Sequence, residues 1–123
     1  TVSVTANISQ TGNFSTSGDV TAFASDMRLK TSIEQIDGAI AKVCKLSGFT
    51  YSFNETAGEL GFDTETRYAG VSAQQVQEVL PEAVKPAAVG KGYLTVQYEK
   101  LVPLLIEAVK ELKDEIEELK NGR

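Results

Sequence analysis

The residues whose types and spacing could do chemistry lie in one short segment, residues 25–30, which reads Ser-Asp-Met-Arg-Leu-Lys. The chain contains no histidine and only one cysteine, which excludes Ser-His-Asp and Cys-His mechanisms and histidine-bearing metal sites. The remaining routes are a serine or threonine activated by a lysine, or carboxylate chemistry. The first route points to Ser25 and Lys30, and we expect no metal and no cofactor.

A Ser25–Lys30 pair needs a bend in the chain and an environment that takes the proton from the lysine. The two residues are five positions apart, which places them on opposite faces of a strand and well apart on a helix. Burial or a nearby cation can neutralise a lysine amine, and Leu29 and Arg28 are local candidates for these effects. We expect Asp26 to face Arg28 or backbone amides, because an ion pair with Lys30 would hold the proton in place. Without such an environment the segment is a helix N-cap region with a solvated lysine.

The composition is that of a single globular domain that binds neither nucleic acid nor membrane. The chain has 123 residues, of which 41% are hydrophobic and 24% are charged. Its net charge of -5 provides no basic field for phosphates. No apolar run approaches the roughly 18 residues that a membrane span requires. Because the first residue is Thr1 and not Met, we expect a piece of a longer protein.

The first 24 residues contain a repeat of six. The apolar residues at this constant spacing are Val2, Ile8, Phe14 and Val20. A single copy of such short strands cannot bury its apolar side chains, so a stack or an oligomer is needed. We therefore predict the end of a β-repeat stem over residues 1–24, with a domain boundary after it; the alternative is a flexible Ser/Thr linker.

Between residues 31 and 98 the pattern alternates between short helices and short strands. Apolar residues at three- and four-residue spacing predict a helix over residues 31–48, opened by a capping box. The alternating aromatic residues Phe49, Tyr51 and Phe53 predict a strand, and residues 54–67 a hairpin or long loop. A second helix is expected from Ser72 to Pro81, and residues 93–98 are strand-like.

The last helix carries a heptad seam. Its a positions are Val102, Val109 and Ile116, and its d positions are Leu105, Leu112 and Leu119. Glu115 at g and Lys113 and Lys120 at e could pair between chains, so we expect self-association. The alternative is an amphipathic helix packed on its own domain. Branched residues at a with leucine at d favour two strands in an isolated coiled coil.

Four ordered blocks of sequence carry a resemblance to a known family. The blocks are residues 25–51, with Ser25–Lys30, Ile33, Ile36, Leu46–Phe49 and Tyr51; residues 70–84; residues 94–98; and residues 101–112. Together they resemble the C-terminal intramolecular chaperone auto-processing domain of phage tailspikes and tail fibres. Endosialidase tailspikes carry such a domain, and myelin regulatory factor carries a related one.

The resemblance implies a homotrimeric domain that helps a β-rich fibre to fold and then cuts itself off with a Ser-Lys dyad. Carried onto this chain, Ser25 is the nucleophile, Lys30 is the general base and Ala24–Ser25 is the bond that is cut. Asp26 and Arg28 would form the surroundings of the dyad. The enzyme would be a self-cleaving serine endopeptidase with a single turnover. Two questions stay open at this point. The serine could attack a bond in its own subunit or in a neighbouring one. The reaction could form an ester by an N-to-O shift, or proceed by direct attack with water following.

From these observations we predict an α+β fold that is mainly helical, with short strands and a long C-terminal coiled-coil-like helix. Residues 1–24 are assigned to the fibre stem and residues 25–123 to the chaperone domain, assembled as a homotrimer. Besides the other two chains, the partner is the chain's own stem, which is both folding client and substrate. We expect assembly in the host cytoplasm, the mature fibre in the virion tail, and release of the chaperone after cleavage. The alternative is a non-cleaving trimerisation or receptor-binding tip of a fibre.

Overall fold

The computed structural model describes residues 1–10 and 12–122, and these residues form an α+β fold. Within them, four α-helices and two pairs of antiparallel strands all lie after residue 38. The chain divides into two compact units, Thr1–Glu34 and Gln35–Arg123. The α+β class and the long C-terminal helix are therefore confirmed, whereas the stem boundary after residue 24 stays a prediction.

The first unit carries the six-residue repeat and the Ser-Lys segment. Its only regular element among the described residues is a 3-10 turn, Met27–Leu29. The four apolar side chains of the repeat are between 72 and 90% exposed. A single chain gives these side chains no core, so the stem, which requires neighbouring copies to bury them, stays a prediction.

The second unit contains all the described helices and strands. In chain order they are α1 (Ala39–Val43), β1 (Phe49–Tyr51), α2 (Glu55–Glu59), β2 (Tyr68–Gly70), α3 (Ala73–Val79), β3 (Val84–Pro86), β4 (Leu94–Val96) and α4 (Val102–Lys120). Short 3-10 turns at Pro81–Ala83 and Tyr98–Leu101 lead into β3 and α4.

The first helix is shorter than the sequence pattern predicted. The apolar spacing predicted a helix over residues 31–48, but α1 begins at Ala39 and ends at Val43. Ser32 and Gly38 have left-handed backbone, with φ of 52° and 57°, which a right-handed helix does not accommodate. The capping box predicted at the start of this segment opens no helix, so the prediction was wrong except for residues 39–43.

The two strands of the first sheet are joined by a connection that contains a helix. β1 pairs antiparallel with β2, and Tyr51 lies opposite Tyr68. The alternating aromatic residues predicted β1 correctly, but residues 54–67 are more than a hairpin or loop, because they contain α2. The Asn54 side chain starts that helix by accepting a hydrogen bond from the Ala57 amide at 3.0 Å.

The third helix begins where its capping residue predicted. The Ser72 hydroxyl oxygen accepts a hydrogen bond from the Gln75 amide at 3.3 Å, and α3 ends at Val79. Pro81 then begins a 3-10 turn that leads into β3. β3 pairs antiparallel with β4, which confirms the strand expected within residues 93–98.

The hydrophobic core lies where α1, α3 and α4 meet. Its buried residues are Ala39, Val79, Leu104 and Ala108, and the side chains packed around them are Ile36, Val43, Leu46 and Leu80. Two of the four buried residues belong to α4. The core therefore determines which face of that long helix is turned inward.

Helix α4 presents two different apolar faces. Leu104 and Ala108 are buried in the core, whereas the six residues of the heptad seam are between 46 and 71% exposed. Pro103 stands in the first turn, where a missing amide proton breaks no intrahelical hydrogen bond. Within the described residues of one chain, the seam is not the face that packs on the domain.

Two glutamates one helical turn apart on α4 bind the start of α1 and the segment that leads into it. Glu111 accepts hydrogen bonds from the Ala39 amide at 2.7 Å and from the Ile40 amide at 3.1 Å. Glu107 accepts one from the Gln35 side-chain amide at 2.8 Å. The bonds to Glu111 satisfy amides that the first turn of a helix leaves unpaired. The amides of Ala39 and Ile40, in that order, lower the pKa of Glu111, because they favour its charged form.

The bond between Glu111 and α1 predicts a loss of stability in acid. Because the folded pKa of Glu111 is lowered from its ordinary value of 4.5, its stabilising effect is present above that value and is lost as the pH falls through the folded pKa. Urea unfolding of the wild type should show a larger drop in the free energy of unfolding between about pH 5 and pH 3 than that of Glu111→Gln. Glu118→Gln, an exposed residue on the same helix, should behave like the wild type. Equal acid losses in the wild type and Glu111→Gln would contradict the prediction.

Candidate functional site

The structure brings Ser25 and Lys30 into direct contact. The Lys30 Nζ donates a hydrogen bond to the Ser25 Oγ at 2.8 Å. This is the distance at which a nucleophile and its base exchange a proton. Both residues are exposed in the single chain. The pair has the geometry of a Ser-Lys dyad, while the catalytic role of each residue stays a prediction.

The bend that this pair requires is the 3-10 turn Met27–Leu29. The Leu29 amide donates to the Asp26 carbonyl at 3.0 Å, and the Lys30 amide donates to the Met27 carbonyl at 3.2 Å. These two bonds reverse the chain within one tight turn. Side chains five positions apart, which a strand or a long helix would separate, therefore meet.

Asp26 pairs with Arg28 and caps the same turn. One carboxylate oxygen accepts the Arg28 backbone amide at 2.9 Å, and the other lies 2.9 Å from the guanidinium group. The side-chain bond to Arg28, followed by the backbone bond, lowers the pKa of Asp26, and the same pair raises the pKa of Arg28. Asp26 is thus engaged with Arg28, and the amine of Lys30 is held by Ser25.

Two residues with left-handed backbone flank the dyad segment, and sequence reasoning missed both. Phe23 has a φ of 53° and Ser32 a φ of 52°. Such a backbone costs a residue with a side chain about 1 to 3 kcal/mol, so it persists only where the surrounding structure enforces it. The residue types give no signal for it, because this region favours Gly, Asn and Asp.

The second unit holds an aromatic cavity of about 470 Å³. The rings of Phe53 and Phe62 stack with centroids 4.5 Å apart, and Tyr51 meets Phe53 edge-on at 5.2 Å. The lining residues come from β1, α2, β4 and their connecting segments, and none of them is charged. The cavity therefore offers apolar contacts and neutral hydrogen-bonding groups, but no pair of carboxylates and no Ser-Lys pair for hydrolysis.

The part of the chain that the structure describes contains neither a metal-binding cluster nor a membrane-spanning helix. Among its residues, no group of three or more cysteine, aspartate or glutamate residues is arranged to hold a metal ion. None of the helices in that part of the chain combines the length and the apolar character needed to cross a membrane.

Comparison with protein families identifies the domain. Residues 25–85 match the family described as chaperone of endosialidase, and the match begins at Ser25. These residues belong to this family, which confirms the resemblance, and the match includes the first two of the four sequence blocks. The similar curated proteins are long tail fibre proteins of bacteriophages.

Three of these relatives give the extent of the likeness. The chain is 42% identical over 99 residues to the long tail fiber protein Gp37 of Enterobacteria phage K3 and to that of Enterobacteria phage T2, covering 79% of this chain in each case. It is 38% identical over 111 residues to Gp37 of Enterobacteria phage Ox2, covering 89% of this chain. The aligned part spans 8%, 7% and 42% of these three relatives, so the chain covers only a fraction of their length.

Proposed function

We propose that this chain is an intramolecular chaperone that forms a homotrimer, assists the folding of a phage tail fibre and then cuts itself between Ala24 and Ser25. The observation that carries the proposal is the 2.8 Å hydrogen bond between Lys30 Nζ and Ser25 Oγ. This contact lies at the first residue of the family match, which supports a cut at the start of the domain. The kinship with phage long tail fibre proteins supports a fibre as the folding client.

Cleavage uses three groups that are neighbours in the chain. Neutral Lys30 accepts the hydroxyl proton of Ser25 while the Ser25 Oγ attacks the carbonyl carbon of Ala24. The tetrahedral intermediate collapses as the Ala24–Ser25 C–N bond breaks, and the Lys30 ammonium returns its proton to the departing Ser25 amine. Water then hydrolyses the ester between Ala24 and the Ser25 Oγ, which yields the Ala24 carboxylate and restores the hydroxyl. Each chain carries a single such bond, so the reaction has one turnover.

Association supplies the environment that the base requires. Every residue of the segment 25–30 is exposed in the single chain. A contact that covers the segment favours the neutral amine of Lys30. Met27 and Leu29 expose apolar side chains on the turn itself, which such a contact would bury. In this proposal cleavage therefore waits for assembly.

The α4 seam is the surface that supports association. Its apolar residues are exposed in one chain, and burying a row of them is favourable at about 25 cal/mol per Å². The branched residues at a and the leucines at d favour a coiled coil of two helices when it is isolated. The family resemblance and the six-residue stem favour three, and a short seam fused to a globular domain need not set the number of chains alone.

A trimeric domain can act as a chaperone without ATP. Holding three stem chains together makes their pairing effectively intramolecular, which lowers the entropy cost of starting an interwound β-structure. Once the domain has been cut away, the fibre can no longer unfold by reversing the assembly that the domain templated. The fibre therefore becomes kinetically stable. Assembly and cleavage would occur in the host cytoplasm, and the cut fibre would remain in the virion tail.

The intact mass of the purified chain tests self-cleavage. Wild-type protein should yield a fragment that begins at Ser25, whereas Ser25→Ala lacks the attacking hydroxyl and Lys30→Ala lacks the base, so both should remain full length. The controls Ser15→Ala and Lys91→Ala should be cut like the wild type. Efficient cutting of Ser25→Ala at the same bond would exclude the dyad. An uncut wild type would favour the non-cleaving trimerisation or receptor-binding tip.

Light scattering tests the role of the seam. The double change Leu112→Asp with Ile116→Asp should reduce the trimer to monomers, because the interface would bury carboxylates without partners. An unchanged mass for this variant would mean that another surface holds the chains together. A dimeric mass for the wild type would show that the local heptad pattern sets the number of chains.

The same seam variant tests whether cleavage depends on assembly. We expect it to stay uncut although Ser25 and Lys30 are both present, because the dyad segment remains exposed to water. Dilution of the wild type below its association range should have the same effect, followed by mass spectrometry. Processing of isolated monomers as fast as of the oligomer would show that the dyad is complete within one subunit.

A further inference from the structure

The apolar seam of α4 is wider next to the domain than at its far end. The first e position of the heptads is occupied by Ile106, which is 53% exposed. The two later e positions carry Lys113 and Lys120. Between Val102 and Val109 the exposed apolar face therefore includes positions a, d and e, whereas beyond Val109 it consists of a and d alone.

The width of an apolar face reflects the number of helices that cover it. A strict a and d pattern is typical of a narrow seam against one partner helix, while a third apolar position at e or g is typical of a helix in a larger bundle. In a pair of helices the e and g flanks stay beside water, and a third helix covers them. The half of the seam next to the domain thus favours more than two chains.

The chain's own core does not cover Ile106. This residue stands two positions after Leu104 and two before Ala108, and both of those side chains are buried in the core. Residues two positions apart lie on nearly opposite sides of a helix. Ile106 therefore lies on the flank of the seam that faces away from the core, where only a neighbouring chain can bury it.

The matching surface on a neighbour is the g flank of its own α4. In a parallel arrangement each g residue lies beside the e residue five positions further along the neighbouring helix. The g residue that corresponds to Ile106 is Leu101, which is partly buried and has helical backbone with φ of -78° and ψ of -18°. Leu101 and Ile106 are both apolar, so their contact leaves no polar group without a partner.

Charges at the far end of the seam match the same parallel arrangement. Glu115 at g and Lys120 at e have the same separation of five positions. Within the described residues of one chain neither of them makes an ion pair, whereas Lys113 lies 3.1 Å from Glu117 on its own helix. An antiparallel arrangement would place the e flanks of two helices, with their lysines, side by side. Parallel copies instead bring Glu115 of one chain beside Lys120 of the next.

We propose that Ile106 sets the number of chains at three, because it widens the seam next to the domain and packs on Leu101 of a neighbouring parallel copy. This inference rests on the homotrimer of the proposed function and is independent of self-cleavage. Each chain then presents its e flank to one neighbour and its g flank to the other, so that the three contacts close a ring.

Light scattering of the full chain tests the role of Ile106. All samples carry Ser25→Ala, so that each keeps its 123 residues. Ile106→Lys and the uncharged Ile106→Gln should lower the measured mass from three chains to two, because the a and d positions remain intact. Ile106→Leu should keep three chains. Asp114→Lys, which adds a lysine at an exposed position on the opposite side of the same helix, should also keep three.

A charge exchange tests the parallel pairing. Lys120→Glu places a like charge beside Glu115 of the neighbour and should raise the concentration at which the assembly dissociates at low salt by roughly 2- to 5-fold. Adding Glu115→Lys to this variant should restore the original concentration. Equal dissociation concentrations for the single and the double variant would contradict the parallel pairing, and with it the contact between Ile106 and Leu101.

The measured masses distinguish this inference from the proposed function. Circular dichroism reports whether Ile106→Lys keeps its helix content, and Ile106→Gln decides alone if it does not. A trimeric mass for the deciding variant would overturn the inference while leaving the homotrimer in place. A monomeric mass would also overturn it, because Ile106 would then drive association as such and not the number of chains. A dimeric mass for the chain with Ser25→Ala alone would remove the proposed homotrimer and this inference together.

Discussion

The packing of Leu104 and Ala108 against α1 and α3 is the contact on which the rest of the second unit depends. A helix of 19 residues whose apolar side chains surround much of its circumference could rotate to bury either face. Burial of the Leu104 face places the heptad seam outward and brings Glu111 to the start of α1. The packing of this one face of α4 therefore determines both which apolar residues stay exposed and how the first turn of α1 is capped.

The contact between Ser25 and Lys30 separates local geometry from the activation that the proposed catalysis requires. A single 3-10 turn, capped by Asp26, is enough to bring Ser25 and Lys30 within hydrogen-bond distance. The contact needs no distant residue, so one chain can form it. Removing the proton from a lysine, in contrast, requires burial or another cation, which a short exposed turn does not supply by itself. The six residues 25–30 are enough to bring the two side chains together, whereas in the proposed mechanism activation also requires a contact that covers this segment.

Patterns among residues that are close in the sequence correctly predicted the helices and strands that interactions between such residues determine. The aromatic alternation predicted β1, Ser72 predicted the start of α3, and the heptads predicted α4. The helix expected over residues 31–48 was largely wrong, because the left-handed backbone at Ser32 interrupts a run whose apolar spacing reflects core packing. The bond from Glu111 to α1 could not be predicted, since it joins residues that only the folded core brings together. Residue types and the family resemblance both pointed to Ser25 and Lys30, but the turn that brings them together could be seen only in the structure.

The six-residue spacing within residues 1–24 leaves the alignment of chains in the predicted stem ambiguous. Where apolar residues recur every six positions, a neighbouring chain displaced by one full repeat, roughly 20 Å along the strand direction, still matches apolar to apolar and loses only the contacts at its ends. Such a stem has several alignments of nearly equal energy and cannot select among them. The six-residue repeat ends before residue 25, so the proposed trimer of the chaperone domain would offer the three stem chains a single alignment. In the proposed trimer, the register of the fibre chains is therefore set by a domain that the finished fibre no longer contains.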